Sequence, residues 1–288
     1  MDLSDLTVRA LKRLPKNTLS RAFGVVSEIE FPESFQGVVN QSFAALTGVD
    51  IEEAEKSPDQ YDTLNAYFTR RLRQGARPIE ADDDSVVVSP VDGALGAFGA
   101  IDEGTLFQAK GRQYQLLDLV DSAREAEHFD GGWYATIYLS PRDYHRIHSP
   151  VSGAVDRISY IPGHLFPVNP FAVSNIDDLF AVNERLITYL DTAPLGRVAV
   201  IKVGATCVGR IGLSYDAIKT NGRLRRRREF EPRSSTTFEH GDELAVFNLG
   251  STVILLLEQP RFAFDRALKV GDVLRMGESL GAVAEGNS

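Results

Sequence analysis

A hexapeptide that occurs twice constrains the fold more than any other feature of the sequence. Residues 89–94 (Ser-Pro-Val-Asp-Gly-Ala) return sixty residues later as residues 149–154 (Ser-Pro-Val-Ser-Gly-Ala). Proline followed by glycine fixes one backbone angle and frees another, which is typical of a bend between strands. A second repeat, Gly-Asp at 241–242 and 271–272, recurs after thirty residues. Repeated strand–turn–strand units predict a sandwich-like or barrel-like β core.

The order of helix-like and strand-like segments predicts the fold class. Apolar residues at helical spacing occur before about residue 75, and short runs of β-forming residues punctuated by glycine and proline follow from about residue 85. We therefore predict an α+β chain with a mainly antiparallel β core of barrel-sandwich-hybrid-like repeats, preceded by short N-terminal amphipathic helices. The strand candidates are Val86–Val88, Trp133–Leu139, Val198–Val203 and Val253–Leu257, and the helix candidates are residues 17–29, 54–56 and 63–72.

The β repeats resemble the barrel-sandwich hybrid modules of biotinyl and lipoyl carriers. A carrier would need its Met-Lys-Met or Asp-Lys-Ala lysine, and neither tripeptide occurs in the chain. A binding module without enzymatic activity stays open as one hypothesis. We predict two domains, N-terminal helices at 1–45 and a catalytic β-rich domain at 46–288.

Positive charge is concentrated at the N-terminus. Residues 1–21 carry a net charge of +3, so the other 267 residues of a chain with net charge −9 carry −12. Apolar residues at helical spacing predict two basic amphipathic helices, separated at Pro15. Such helices are typical of attachment to a membrane surface, and a helical hairpin packed on its own domain is the alternative. The apolar side would be extended by Phe35, Val38, Val39, Phe43 and Leu46.

Composition excludes several classes of protein. The longest aliphatic run, Val253–Leu257, is far shorter than the roughly 18 apolar residues that a membrane-spanning helix needs. One cysteine, Cys207, excludes an intrachain disulfide and fits a reducing compartment. A net acidic chain is a poor general binder of nucleic acid, so we predict no such partner.

Two of the five histidines lie three residues apart, in a segment that begins with Ser140-Pro141. Serine followed by proline is a typical helix N-cap and first helical position, so we predict one helical turn with His145 and His148 on the same face. No metal site is predicted, because no third ligand lies at metal-site spacing. Structural packing and acid/base catalysis both remain open for this pair.

Two further segments carry side chains that could act with the histidines. Gly250-Ser251 leads into a very apolar strand, and glycine permits close approach to its carbonyl, although a bulge at a strand start is the alternative. Asp92 lies in a turn, where an aspartate commonly bonds its own backbone. An Asp, a His and a Ser on separate turns could form a hydrogen-bonded triad. A Ser-His-Asp hydrolase with an intact chain is one interpretation, although no Gly-x-Ser-x-Gly elbow surrounds Ser251.

Taken together, the motifs resemble the pyruvoyl-dependent phosphatidylserine decarboxylase proenzymes of the prokaryotic type I. Residues 249–252 (Leu-Gly-Ser-Thr) are similar to that family's self-cleavage motif, and residues 138–148 are similar to its histidine motif. The basic segment Arg223–Arg228 matches no motif of the family. The other similar segments are Phe68–Leu72, Arg77–Ile79, Ser89–Gly93, Phe166–Asn169, Asn183–Arg185, Val203–Thr206 and Val208-Gly209.

This resemblance implies a proenzyme that cuts itself between Gly250 and Ser251. It assigns His148 as the general base, oriented by Asp92, that removes the hydroxyl proton of Ser251, and the oxygen then attacks the Gly250 carbonyl carbon. β-Elimination of the resulting ester and hydrolysis of the dehydroalanine leave a pyruvoyl group and ammonia. The implied products are a β chain of residues 1–250 and an α chain of residues 251–288.

The same resemblance implies that the cleaved enzyme decarboxylates phosphatidylserine to phosphatidylethanolamine. The pyruvoyl group derived from Ser251 is the implied cofactor, which forms a Schiff base with the substrate amine and acts as an electron sink. His145 is expected to donate a proton and orient the substrate. Val168 and Asn169 are expected to bind the substrate, and no metal is expected.

A lipid substrate favours the membrane-surface interpretation of the N-terminal helices. We expect peripheral attachment to the cytoplasmic face of the cell membrane through residues 1–45, and a homo-oligomer of the cleaved unit. Arg223–Arg228 is expected to form a loop that is either a solvated face or a contact for lipid phosphate. A soluble pyruvoyl-dependent amino-acid decarboxylase is the nearest rival, and it would have no use for the basic helices.

Overall fold

The structure, a computed structural model, describes residue 7 and residues 16–108, 111–206, 210–221, 226–232, 236–248, 251–258 and 262–283. The helices are α1 (Lys16–Ser27), α2 (Glu33–Thr47), α3 (Leu64–Phe68), α4 (Leu116–Val120), α5 (Ala123–Phe129), α6 (Pro170–Asn175) and α7 (Leu179–Val182), with a 3-10 turn at Pro58–Gln60. The strands are β1 (Val86–Val88), β2 (Gly93–Ala100), β3 (Thr105–Phe107), β4 (Gln113–Gln115), β5 (Trp133–Tyr138), β6 (Arg146–His148), β7 (Gly153–Ile161), β8 (Arg185–Thr192), β9 (Gly196–Val203), β10 (Arg210–Leu213), β11 (Arg228–Phe230), β12 (Thr237–Phe238), β13 (Glu243–Asn248), β14 (Thr252–Leu257), β15 (Phe262–Phe264), β16 (Val273–Leu274) and β17 (Ser279–Val283).

A large antiparallel sheet is the centre of the described part of the chain. Its strand order is β11-β7-β8-β9-β14-β5-β2-β16, and β12 also pairs with β7. β14 lies in the middle, between β5 and β9, and all its residues are buried. A continuous apolar run is typical of a strand that is covered on both faces. Two smaller sheets, β10-β13-β6 and β1-β17-β15, pack beside it, and β3 pairs with β4.

The repeated hexapeptide forms the same turn twice, and the two turns bind each other. The hydroxyls of Ser89 and Ser149 each donate, at 2.7 Å, to the carbonyl two residues further along the chain. The backbone N–H of His148 donates to the Pro90 carbonyl at 2.9 Å, and the residue before Ser89 donates in the same way to the Pro150 carbonyl at 3.0 Å. This reciprocal pairing places the turn that contains Asp92 beside the strand that ends in His148.

The second repeat also forms matching turns. The carboxylates of Asp242 and Asp272 each accept, at 2.8 Å, a hydrogen bond from the backbone N–H three residues earlier. The preceding glycines have φ of 83° and 100°, a left-handed conformation that favours glycine. The prediction of an α+β chain with mainly antiparallel strands is therefore confirmed. The described strands form no closed barrel, and the finer barrel-sandwich classification stays a prediction.

The N-terminal helices present apolar side chains to solvent. Within α1 and α2, Val25 is 69% exposed and Leu46 is 87% exposed. Lys16, which contributes to the predicted basic segment, is buried instead, with its Nζ atom 4.1 Å from the centre of the Phe166 ring. No described helix is both long enough and apolar enough to cross a membrane. Other exposed apolar residues of this surface are Val26, Ile29, Phe35 and Val38.

Two predicted helices differ from the structure. Thr63 does cap a helix, accepting from the Ala66 N–H at 3.0 Å, but that helix ends at Phe68. The candidate at residues 54–56 is not helical, because Ala54 forms an antiparallel β-bridge with Leu72. A long-range backbone pairing has replaced a weak local preference there.

The helical turn predicted after Ser140 is wrong. Residues 140–143 form a turn in which the Asp143 carboxylate accepts from the Ser140 N–H and hydroxyl, and the chain then enters strand β6. β6 pairs with β13, so side chains alternate between its two faces. His145 and His148, three residues apart, therefore point to opposite faces of this extended segment rather than to one face of a helix.

Candidate active site

Ser251 occupies a central and buried position at the start of β14. Its carbonyl accepts a hydrogen bond from the Leu139 N–H at 2.8 Å, and the residue has no exposed surface. Its hydroxyl is buried and has no hydrogen-bond partner among the described residues. Gly250, the other residue of the predicted cleavage site, lies outside the described residues. An unpaired hydroxyl in the protein interior costs about 1–3 kcal/mol, so such an atom is a candidate for function.

An apolar pocket of about 270 Å³ opens onto Ser251. Phe23 of α1 and Phe43 of α2 form one side of it, and Phe68 lies beside them. No charged side chain is present among the described residues of its lining. The remaining lining residues are Tyr138, Leu139, Pro141, Pro167, Val168, Asn169, Ala205 and Thr206.

His145 is fully buried and contacts Phe68, which lines this pocket. Its ring packs on the Phe68 ring, with 3.9 Å between the ring centres. Its Nδ1 atom is 2.8 Å from the Asp143 carbonyl oxygen, which can only accept, so Nδ1 carries the proton and Nε2 has the lone pair. Nε2 is buried and has no partner among the described residues. Burial lowers the pKa of His145 to about 3, so the ring is neutral at physiological pH.

His148 has both ring nitrogens engaged. Nδ1 is 2.6 Å from the Gly241 carbonyl oxygen and must carry the proton. Nε2, the basic nitrogen, is 3.1 Å from the Tyr144 hydroxyl, which therefore donates to it. Burial lowers the pKa of His148, so the ring is held neutral in one tautomer.

Asp92 is bound by an arginine rather than by a histidine. Arg77 donates to both of its carboxylate oxygens, at 2.9 Å from Nε and 2.5 Å from Nη2. The Met276 N–H donates to the same carboxylate at 2.8 Å. Arg77 also contacts Glu53 at 2.7 Å, so Asp92 belongs to a partly buried network of charges. A bidentate arginine pair fixes the orientation of a carboxylate.

The structure brings the three predicted triad residues into one region without joining them by hydrogen bonds. The turn of Asp92 pairs with the backbone of His148 through the Pro90 carbonyl. The described partners of the Asp92 carboxylate and of the His148 ring are nevertheless other groups, and Ser251 has none. The roles assigned to these residues stay predictions.

Several site residues have no role in the sequence-based prediction. Tyr144 lies inside the histidine segment, four residues before His148, and residues at this separation share a face in a helix as well as in a strand, so the pair could have been recognised from the sequence. Arg77 meets Asp92 across 15 residues and Glu53 across 24, and neither separation is a recognisable motif. A buried carboxylate in a turn requires a cation or several N–H donors, and this is the signal that could have prompted a search for Arg77.

The expected substrate-binding residues both line the pocket. Val168 is buried, and the Asn169 carboxamide oxygen caps α6 by accepting from the Ala172 N–H at 2.9 Å. Asn169 thus has a structural role, and its contact with substrate stays a prediction. No group of three metal-binding side chains was found within the described part of the chain. Of the basic segment, residues 223–225 lie outside the described residues, and Arg227 is paired with Asp121 and Glu229.

Comparison with known proteins identifies the family of this chain. Residues 64–282 match the family described as phosphatidylserine decarboxylase. The chain is 44% identical over 280 residues to the phosphatidylserine decarboxylase proenzyme of Myxococcus xanthus, covering 96% of this chain and 98% of that protein. The chain belongs to the phosphatidylserine decarboxylase family. The proenzymes of an Anaeromyxobacter species (44% over 283 residues, covering 97% and 99%) and of Brevibacillus brevis (41% over 271 residues, covering 94% and 95%) are similarly related.

The match to the phosphatidylserine decarboxylase family covers the four predicted catalytic residues. Asp92, His145, His148 and Ser251 all fall within residues 64–282. The helices α1 and α2 lie before the matched range, although the full-length relatives align with nearly all of this chain. The resemblance inferred from the motifs is therefore confirmed.

Proposed function

We propose that this chain is a proenzyme that cleaves itself between Gly250 and Ser251 and then decarboxylates phosphatidylserine to phosphatidylethanolamine, as a carboxy-lyase. The observation that carries the proposal is the Ser251 hydroxyl, which is buried, unpaired among the described residues and at the wall of an apolar pocket, in a chain of this family. A hydroxyl without a hydrogen-bond acceptor is available to a base that approaches it.

Self-cleavage requires a base for the Ser251 proton. The Gly241 carbonyl holds the His148 ring in the tautomer with its lone pair on Nε2, and the Tyr144 hydroxyl must release that lone pair before it can take the proton. The Ser251 oxygen then forms a bond to the Gly250 carbonyl carbon, and the peptide C–N bond breaks to give an ester. Loss of the Ser251 α-proton expels the Gly250 carboxylate, and water converts the remaining dehydroalanine to a ketone and ammonia.

The residues around Ser251 fit the pyruvoyl group that this cleavage would leave. The Ser251 hydroxyl has no hydrogen-bond partner among the described residues, and the His145 ring packs on Phe68, which lines the same pocket. The pyruvoyl ketone would bond to the substrate amine and accept the electron pair that stays on the substrate when carbon dioxide leaves.

His145 is proposed to donate a proton to the former α-carbon after carbon dioxide has left. Its Nε2 atom, which has no partner among the described residues, is the atom that would carry this proton. The low pKa of the buried ring makes it a strong proton donor once it is charged.

The pocket itself is suited to loss of a carboxylate. Its described lining is apolar and aromatic, with no cation to stabilise the charge of the substrate carboxylate. Removal of that group as neutral carbon dioxide relieves an unfavourable burial of charge.

We also propose that α1 and α2 attach the enzyme to a membrane surface, on its cytoplasmic face. Phe23 and Phe43 line the pocket from these helices, whose outer residues, such as Val25 and Leu46, are apolar and exposed. Exposed apolar side chains on helices that line a pocket are suited to a substrate that stays in the bilayer. A homo-oligomer of the cleaved unit remains part of the proposal.

The test of the proposed function is the intact mass of the purified protein, combined with reductive trapping. We expect two chains, of residues 1–250 and 251–288, with the smaller blocked by a ketone. Borohydride with phosphatidylserine should add the mass of the reduced adduct to the smaller chain. The Ser251→Ala variant should remain one chain and take up no adduct. A single uncut species in an active preparation would refute the proposal.

The roles of the two histidines can be separated by substitution. His148→Ala should block cleavage, whereas His145→Ala should be cleaved, at least in part, and decarboxylate poorly. The readouts are a denaturing gel for cleavage and release of carbon dioxide for turnover. Equal cleavage defects in the two variants would contradict this division of roles.

A further inference from the structure

Two irregular segments form facing walls of the pocket at Ser251. Pro167, Val168 and Asn169 belong to one wall, and Ala205 and Thr206 belong to the other. Neither group lies within a helix or a strand of the described structure. Because no ladder of backbone hydrogen bonds holds these segments in register, their separation depends on individual contacts.

One buried side chain binds both walls. Asn183 has no exposed surface, and its Nδ2 atom donates to the Phe166 carbonyl at 3.0 Å and to the Gly204 carbonyl at 2.9 Å. Its Oδ1 atom accepts from the Phe166 N–H at 3.0 Å. Phe166 and Gly204 directly precede the wall residues. The planar carboxamide therefore joins the bases of the two walls, beside a second bond in which the Thr206 hydroxyl donates to the Leu165 carbonyl at 2.5 Å.

Backbone hydrogen bonds next to Asn183 show how closely the two segments approach each other. The Gly204 N–H donates to the Glu184 carbonyl at 2.7 Å, and the Glu184 N–H donates to the His164 carbonyl at 2.8 Å. A Cβ atom at Gly204 would lie 2.8 Å from a methyl carbon of Leu165, so the glycine is needed for the approach. Asn183 lies beside this close contact and has no exposed surface.

We propose that Asn183 is a positioning residue that sets the width of the substrate pocket, and thereby the fit of the phosphatidylserine head group. This inference rests on the proposed function of the pocket. It gives a role to the segment Asn183–Arg185, which the proposed chemistry does not use. Asn183 touches neither Ser251 nor either histidine in the described contacts, so it acts through the walls and not on the reacting atoms.

The role predicts a specific kinetic change. A looser pocket weakens substrate binding, whereas the groups that react are unaltered, so KM should rise with little change in kcat. Cleavage of the chain at Ser251 should continue, because it needs no substrate. A residue that only stabilised the fold would lower the amount of active enzyme and leave the KM of the surviving fraction unchanged.

The experiment uses the full-length chain and a short-chain, water-soluble phosphatidylserine. Asn183→Ala should be cleaved and should show a KM raised by about tenfold or more, with kcat within about threefold of the wild type. Asn183→Asp retains the acceptor for the Phe166 N–H and regains a donor only when it is protonated. Its KM, divided by the wild-type KM at the same pH, should therefore fall as the pH is lowered from about 8 to about 6.

Gln108→Ala is the matched control. Gln108 is also a buried carboxamide that binds two carbonyls, of Val173 and Ile176, and accepts from the Leu179 N–H, none of which lines the pocket. Its loss should cost comparable stability and leave KM unchanged. If Asn183→Ala does not fold, the pH series of Asn183→Asp decides alone.

Two results would overturn the inference. One is a KM for both Asn183 variants within about threefold of the wild type at every pH, and the other is an equal rise in KM in Gln108→Ala. A wild-type enzyme without activity towards phosphatidylserine would instead refute the proposed function, so the two failures are distinguishable.

Discussion

Lys202 in β9 should make the stability of this fold depend on pH in a direction opposite to that of most proteins near neutrality. The side chain has no exposed surface, and its Nζ atom contacts the Thr188 hydroxyl at 2.6 Å and the Val200 carbonyl at 3.1 Å. No carboxylate within the described residues forms an ion pair with it. Burial lowers the pKa of Lys202 to about 7 from an ordinary value of 10.5.

The direction of the pH dependence of stability follows from the number of protons that the folded and unfolded states bind. Between pH 7 and 10.5 the unfolded chain keeps the Lys202 proton and the folded chain has released it, so stability rises with pH. The two pKa values give a cost of folding of about 4 kcal/mol at pH 7 and about 2 kcal/mol at pH 9. The contribution from this residue should therefore increase the free energy of unfolding by about 2 kcal/mol over that range.

Lys202→Met tests this reasoning, because methionine fills a similar volume without a charge. The substitution removes two hydrogen bonds, each of which contributes about 1 kcal/mol to stability. The Thr188 hydroxyl keeps its contact with the Tyr215 hydroxyl at 2.8 Å. We expect the variant to be about 2 kcal/mol more stable than its parent at pH 7 and about equal at pH 9. The exposed Lys219→Met variant is the control, and its difference from the parent should not change with pH.

The assay is urea denaturation at several pH values between 7 and 9. All variants should carry Ser251→Ala, so that one uncleaved chain unfolds in each experiment and the free energies can be compared. Parallel pH profiles for the parent and Lys202→Met would refute the reasoning. A variant that is less stable at pH 7 would do the same, because it would show that the buried ammonium is stabilised.

Three further predictions concern the site and the membrane. Tyr144→Phe should move the acidic limb of cleavage at Gly250-Ser251 to higher pH, because the lost hydroxyl stabilises neutral His148. Gels of cleavage time courses across a pH series would measure this shift, and an unchanged limb would contradict it. Arg77→Gln breaks a largely buried ion pair with Asp92, so it should destabilise the uncleaved chain by about 3 kcal/mol and slow its cleavage. A thermal melt and the same gels measure the two effects, and an unchanged melting temperature and cleavage rate would contradict the prediction. Sedimentation with anionic vesicles should recover less protein at high salt, because screening weakens the basic contribution, and equal recovery would argue against it.

Local sequence patterns predicted the elements whose structure depends on neighbouring residues or on a repeated motif. The apolar run Val253–Leu257 could only be a buried strand in a chain with so many turns, and it is the centre of the large sheet. The repeated hexapeptide predicted two equivalent turns, because proline, glycine and a serine hydroxyl act within a few residues. The exposed apolar side chains of α1 and α2 followed from helical spacing in the same way.

The failures occurred where distant parts of the chain determine the structure. Ser140-Pro141 suggested a helix, but pairing of β6 with β13 forces an extended backbone and separates the faces of His145 and His148. Asp92 meets the N–H of Met276 across 184 residues, and no local pattern encodes that contact. The family resemblance assigned roles to Asp92 and His148 without indicating that Arg77 binds the first and Tyr144 binds the second.

The unpaired polar atoms at the centre of the fold suggest why cleavage would proceed in one direction. The hydroxyls of Ser251, Thr252 and Thr136, and Nε2 of His145, are buried without partners among the described residues. Each such group costs about 1–3 kcal/mol, a cost that the packing of β14 between β5 and β9 must offset. Conversion of Ser251 to a ketone removes an unpaired hydroxyl donor from this region and leaves an oxygen that can only accept a hydrogen bond. The uncleaved chain would thus carry a local penalty that its own chemistry relieves, and the surrounding sheet would hold the reactive atoms in place while it does so.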